Sequence, residues 1–180
     1  MRAAQRHIFM ASRIHTAKQY RSAIAGVTPM MFVSNHHFPR HSHDQFGAGV
    51  IASGGQRSWS SAGTVRASAG DVIMVNPGEI HDGAPLDGAA REWRIIYLEP
   101  AIVTREADEE FVGPAEIVCP VACDPVLASH LTGLFHSLIA GRSDPLERGK
   151  PSSVGDLSLP EAWHGQIPIQ AKLALRRTCG

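Results

Sequence analysis

Long apolar runs are missing from this chain. No stretch approaches the roughly 18 consecutive apolar residues that a membrane-spanning helix needs, and the start, MRAAQRHIFM, lacks the apolar core of a signal peptide. A soluble, unexported, cytoplasmic protein is therefore expected. Cysteine is scarce and odd in number. Cys119, Cys123 and Cys179 spell neither a disulfide framework nor a paired zinc spacing. Net charge is absent too, because 17 Lys and Arg cancel 17 Asp and Glu. Without a global field, nucleic-acid binding would need a local basic patch. Acidic residues are lacking before Asp44, while Arg2, Arg6, Arg13, Lys18, Arg21 and Arg40 precede it. Neither the Ser enrichment nor the helical periodicity of an organelle transit peptide accompanies them, so residues 1–27 read as a basic, poorly ordered arm.

What remains is one globular domain of ordinary size, 180 residues with 43% hydrophobic and 19% charged. From about Met30 to Pro100, short β-type runs alternate with Gly, Pro, Asn and Asp. The candidate strands are Met30–His36, Phe46–Ser53, Gln56–Ser61, Thr64–Ala67, Val72–Val75 and Arg91–Leu98. Turns fall at Gly54-Gly55, Ala62-Gly63, Gly70-Asp71 and Asn76-Pro77-Gly78. Such close turn spacing predicts a mostly β fold, an antiparallel double-sheet barrel or jelly roll, rather than alternating β-α units. In the last run Trp93, Ile95 and Tyr97 alternate with Arg94, Ile96 and Leu98. Both sets contain apolar residues, so the period alone does not say which faces inward.

After Pro100 the pattern turns helical. Val126, Leu127, Leu131, Leu134, Phe135, Leu138 and Ile139 recur at three- and four-residue spacings, placing them on one stripe of a helix capped by Asp124 with Pro125 at its first position. The stripe is either core or dimer seam. Beyond Asp144, Pro151, Pro160 and Pro168 with Gly149, Gly155 and Gly165 leave no window for a long helix, so residues 145–180 read as an irregular tail.

The chemistry concentrates in the β region. His41 and His43 are two residues apart, hence on one face of an extended segment, and His81 follows a Pro77-Gly78 turn. Two histidines from one strand and a third from another element converge inside a small barrel to hold a divalent metal when a carboxylate or water completes the shell; otherwise they hydrogen-bond a ligand or cap the barrel mouth. Trp93 stacks on a ring-bearing ligand or packs the core. Glu79 is either a general base or a solvated turn carboxylate.

The runs HSHDQFG and GDVIMVNPGEIH resemble the two motifs of the cupin superfamily. More specifically, AGDVIMVNPGEIHDGAPLDGAAREWRIIYLEP resembles the effector-sensing domain of AraC-type transcriptional regulators. The resemblance covers roughly residues 28–142. It implies a cupin-like barrel over residues 28–104, with a linker and dimerisation helix over residues 105–144. The barrel would bind a small organic effector: a sugar, an amino acid or an aromatic acid. His41, His43, His81, Trp93, Ile95 and Tyr97 are the implied ligand-binding residues, with the basic arm folding over them. Leu127, Leu131, Leu134 and Leu138 are the implied homodimer seam.

The chain departs from the pattern twice. Metal-binding cupins carry a glutamate a few residues after the His pair, where this chain reads Gln45, Phe46, Gly47 and Ala48. AraC-type regulators continue into two helix-turn-helix units, which are expected to be cut off here, with DNA contacted only through that absent region. The expected activity is thus effector sensing, with no catalysis, no cofactor and no membrane. The alternative is a small metal-dependent cupin enzyme, a dioxygenase or isomerase, with His41, His43 and His81 as its ligands.

Overall fold

The computed structural model describes residues 12–106 and 116–140. In chain order the described elements are β1 (His15–Gln19), β2 (Val27–Ser34), β3 (Phe38–His41), β4 (Phe46–Ser53), β5 (Gly55–Ser60) and β6 (Gly63–Ser68). Then come β7 (Val72–Val75), β8 (His81–Pro85), β9 (Arg91–Leu98), α1 (Pro100–Glu106), β10 (Val121–Ala122) and α2 (Pro125–Ala140). The strands make two antiparallel sheets, ordered β1-β2-β9-β4-β7-β10 and β3-β8-β5-β6. The fold is mostly β, as expected, with a single long helix following the strands. One detail of the expectation is corrected: no ladder joins the two sheets among the described residues, so they form an open sandwich rather than a closed barrel. At the edge strand β3, Pro39 has no amide to donate, and the register with β8 breaks between Phe38 and His41.

The centre of the large sheet is β9, an eight-residue strand held by β2 on one side and β4 on the other. Its alternation resolves the ambiguity left by period alone, because both faces are covered. Trp93 and Ile95 join Ile51, Ala67 and Ile73 between the sheets, with Met30, Phe32 and Tyr97 packed alongside. On the reverse face, Ile96 joins Val27 and the α2 residues Phe135 and Leu138. Further along the helix, Leu127 and Ala128 pack on Val72. Close approach of β4 to β9 requires glycine at position 49, where a Cβ would run into the Arg94 carbonyl oxygen and stand 2.7 Å from the Ile95 Cα.

The helix starts as its sequence dictates. Asp124 Oδ1 accepts hydrogen bonds from the backbone amides of Val126 and Leu127, each at 3.0 Å, and Pro125 opens the first turn. Most of the stripe on α2 is spent inside the chain, Val126 being the exposed exception. Leu127 and Leu138 are buried against its own sheet, and Leu131 and Leu134 are half-buried on the same clusters. As a dimer seam, Leu127 and Leu138 are therefore corrected: they have no surface left for a partner.

The amino-terminal arm is also corrected in part. Residues His15–Gln19 are a strand, paired in register with β2 from His15↔Ser34 to Gln19↔Met30. Residues 1–11 of the arm, and the tail, residues 145–180, lie outside the described residues. No described helix is long and apolar enough to cross a membrane.

Candidate functional site

Between the two sheets lies a cavity of about 220 Å³, walled by β2, β7 and β9 on one side and by β3, β5 and β8 on the other. All six residues singled out from the sequence, His41, His43, His81, Trp93, Ile95 and Tyr97, line it. The two motifs meet by backbone pairing. His41 at the end of β3 stands opposite His81 at the start of β8, and the Gly78 amide donates to the His43 carbonyl at 2.8 Å, fastening the Pro77-Gly78 turn onto the His-x-His segment.

The three imidazoles form one cluster. Ring centroids are 4.4 Å apart for His41 and His81, 5.1 Å for His43 and His81, and 6.4 Å for His41 and His43. Each ring is oriented by the chain itself: His41 Nδ1 lies 2.8 Å from the Pro39 carbonyl, His43 Nδ1 3.0 Å from that of Gln45, and His81 Nδ1 2.9 Å from that of Glu79. A carbonyl can only accept, so each Nδ1 carries the proton and each neutral ring keeps an Nε2 lone pair. That of His43 is buried and has no partner. Burial holds His43 and His81 below the ordinary histidine value, and the neighbouring imidazoles push the same way, against the raising effect of the backbone bonds. His43 and His81 are thus biased towards the neutral form. Tyr97 packs edge-on against His43 at 5.0 Å, and burial pushes its phenol up.

Glu79 is a half-buried turn carboxylate held by several hydrogen bonds. Burial alone would raise its pKa, yet hydrogen bonds from Asn76, Ser61 and Ser60 outweigh that and hold it below the carboxylate range. Its Oε2 accepts from the Asn76 backbone at 3.1 Å and its Oε1 from Ser61 at 2.9 Å. A carboxylate so engaged ties the turn together. Asn76 in turn clamps Ile117, accepting from its amide at 2.7 Å and donating to its carbonyl at 2.8 Å.

The cupin likeness raises the question of a metal, and the residues do not fit one. Among the described residues no group of three or more His, Cys, Asp or Glu side chains is arranged to hold an ion. The stretch Gln45, Phe46, Gly47 and Ala48 offers no carboxylate, and at Gly47 a Cβ would lie 2.8 Å from Val75 Cγ1 and 3.1 Å from Ile95 Cδ1.

The sequence reading missed part of the wall. Phe32 stacks on Trp93 with centroids 4.8 Å apart, Phe38 meets the same ring edge-on at 5.9 Å, and Arg91 and Gln56 join them around the cavity. For Arg91 a signal was present: it sits two residues before Trp93, on the face shared by Trp93, Ile95 and Tyr97.

A β sandwich enclosing an aromatic-lined cavity with a few inward polar groups is a small-molecule-binding module. Residues 33–151 match the AraC-like ligand binding domain, and the chain belongs to that family. No curated protein matches it. Among solved structures it is similar to a conserved Streptococcus pyogenes protein of unknown function, at 17% identity over 48% of this chain and 75% of that one, with a TM-score of 0.42. It is also similar to a cupin superfamily protein of Desulfitobacterium hafniense, at 14% identity over 55% of this chain and 84% of the other, TM-score 0.43. A Bacillus subtilis oxalate decarboxylase variant aligns at 13% identity over 48% of this chain and 26% of its own, TM-score 0.42.

Proposed function

We propose that this chain is the effector-sensing domain of an AraC-type transcriptional regulator, working in the cytoplasm by binding and without catalysis. The observation that carries the reading is the cavity itself. Aromatic side chains form much of its wall, yet the buried His43 Nε2 beside it is left unsatisfied by the chain. An unpartnered buried polar atom is costly, on the order of 1–3 kcal/mol, and a ligand that supplies the missing bond offsets that cost. Such groups define a receptor better than a reaction centre, because the two carboxylates that line the cavity are already engaged, Glu79 by Asn76 and Ser61 and Asp82 by the Trp59 amide.

The route from ligand to output runs through the large sheet. Residues of β9 that line the cavity alternate with residues that seat α2, so occupancy of the cavity bears on the packing of the helix. DNA recognition is assigned to a separate region of the regulator. Of the described helices, α1 has seven residues and α2 is docked on the sheet, and neither is presented as a recognition helix. A second copy would meet α2 on its outward residues, among them the exposed Val126 and His130.

A thermal-shift screen against sugars, amino acids and aromatic acids tests the reading. A ligand at a hundred times its dissociation constant stabilises the folded state by about 2.7 kcal/mol, a readily measured rise in melting temperature. Titration of the same protein with promoter DNA at moderate salt is expected to show no discrimination between sequences. Absence of any stabilising compound, or tight sequence-selective DNA binding, would overturn it.

A further inference from the structure

Arg91 is 1% exposed, and among the described residues it has no carboxylate partner; the ion pair present there joins Arg94 to Glu92 instead. A guanidinium taken out of water ordinarily finds an anion, since an unpaired buried charge is among the most expensive groups a fold can hold. Here the neighbours are neutral. Arg91 Nε donates to Gln56 Oε1 at 3.1 Å, and Nη1 donates to the carbonyls of Ser34 at 3.3 Å and His36 at 3.2 Å. A guanidinium has five N–H donors. These contacts use the Nε–H and both Nη1 hydrogens, so the Nη2 pair is left without a partner among the described residues.

The surroundings aim that free edge at the cavity. The guanidinium carbon lies 4.9 Å from the Trp93 ring centroid and 5.6 Å from that of Phe38, so aromatic rings flank it. Opposite Nη2 stands Gly83 of β8, where a Cβ would sit 3.5 Å from Nη2. Glycine at this position leaves an open slot in front of the free N–H groups. Arg91, Gly83, Gln56, Phe38 and Trp93 all line the cavity. The charge is therefore positioned, flanked and uncompensated, as an anion subsite is before its ligand arrives.

We propose that the effector is a small organic acid whose carboxylate enters the Gly83 slot and accepts from Arg91 Nη2, with its apolar body against Phe38 and Trp93. The inference rests on the reading of the chain as an effector-binding domain and narrows the ligand class. A neutral sugar would receive hydrogen bonds at this point but would leave the charge unpaired. Charge-assisted hydrogen bonds are about twice as strong as neutral ones, so the acid is the favoured guest.

The experiment titrates the purified chain calorimetrically with benzoate, 4-hydroxybenzoate and phenylacetate, each beside its primary amide, and with D-glucose as a neutral sugar. At least one acid is expected to bind about tenfold or more tightly than its amide, a gap of about 1.4 kcal/mol. Gly83→Ala, whose added methyl meets Nη2 at ordinary contact distance, is expected to weaken that acid about tenfold while the melting temperature holds. Arg91→Lys is a second variant, expected to lose the acid, but it also releases the carbonyls of Ser34 and His36, so Gly83→Ala is the decisive one. Equal or tighter binding of the amides or the sugar overturns the carboxylate assignment and leaves the effector reading standing. Acid binding that Gly83→Ala does not weaken overturns the placement at Arg91. Silence from acids, amides and sugar together overturns the effector reading, and this inference with it.

Discussion

The two faces of the large sheet bury their residues for different ends. On the helix side, Val27, Ile96, Phe135 and Leu138 pack together with Tyr20, Ile24, Met31 and Leu98. On the cavity side, Trp93 and Ile95 share their face with Arg91, Tyr97 and the imidazole cluster, and part of the space is left unfilled. Both faces derive from one alternating strand, so burial by itself does not distinguish a stabilising position from a recognising one. What distinguishes them is whether polar valences are closed by the chain. On the helix side the chain closes them itself, as where Arg94 meets Glu92 and His136, whereas on the cavity side His43 Nε2 and Arg91 Nη2 stay open.

The largest expected effect comes from attacking the helix side. Phe135 is 3% exposed, and Phe135→Ala should cost about 3–5 kcal/mol, read as a drop in the denaturant midpoint. A variant that unfolds as the wild type does would show that α2 is not the covering layer, and the contrast between the faces would collapse. Asp124→Ala removes the two amide contacts of the cap and should cost about 1 kcal/mol, seen as a lower melting temperature. Ligand affinity measured well below the transition is expected to stay put, because the cap touches no cavity residue.

Acid should act on the cavity side. His43 and His81 are held below 6.5 in the folded chain, mainly by burial. The unfolded chain then takes up protons near its ordinary pKa before the folded chain does. Stability contributed by the neutral rings is therefore present above about pH 6.5 and is lost as the pH falls from there towards the folded values. Melting curves from pH 7.5 to pH 5.5 should show this decline, and His43→Gln should flatten it. An identical decline in the variant would place the titration elsewhere. The smallest effect on stability is expected from Tyr97→Phe. Its hydroxyl has no hydrogen bond among the described residues, so removal should stay within about 0.5 kcal/mol. A change in ligand affinity without a change in melting temperature would mark Tyr97 as a recognising residue, and the reverse would move it to the packing class.

Much of this division was legible in the sequence. The bounds of β4, β7 and β9 coincide with runs bracketed by turn residues, and the Asp124-Pro125 start of α2 is a local capping signal that needs no tertiary context. The elements that were missed depend on partners far away in the chain. Strand β1 is exposed at all five positions and shows no apolar alternation; its pairing with β2 defines it. Strands β3 and β8 carry Pro39, Gly83 and Pro85, which read locally as breakers, and they become strands because each supplies the other's edge. The site followed the same rule. His41, His43, His81 and Trp93 announced themselves by type and spacing, whereas Arg91 looked like an ordinary charged residue at the start of a strand. Only its burial, with no acid to meet it, gives it meaning.

Strand β9 is also a partition one residue thick between two compartments. Ile96 lies between Ile95 and Tyr97 in sequence but opposite them in space, seated against the helix. Thermodynamic linkage makes traffic across such a wall symmetrical: whatever free energy a guest adds to helix docking, helix docking returns to the guest. In the proposed reading, positions that never touch the ligand, Ile96 first among them, are settings for its affinity, tuned from behind the cavity's own wall.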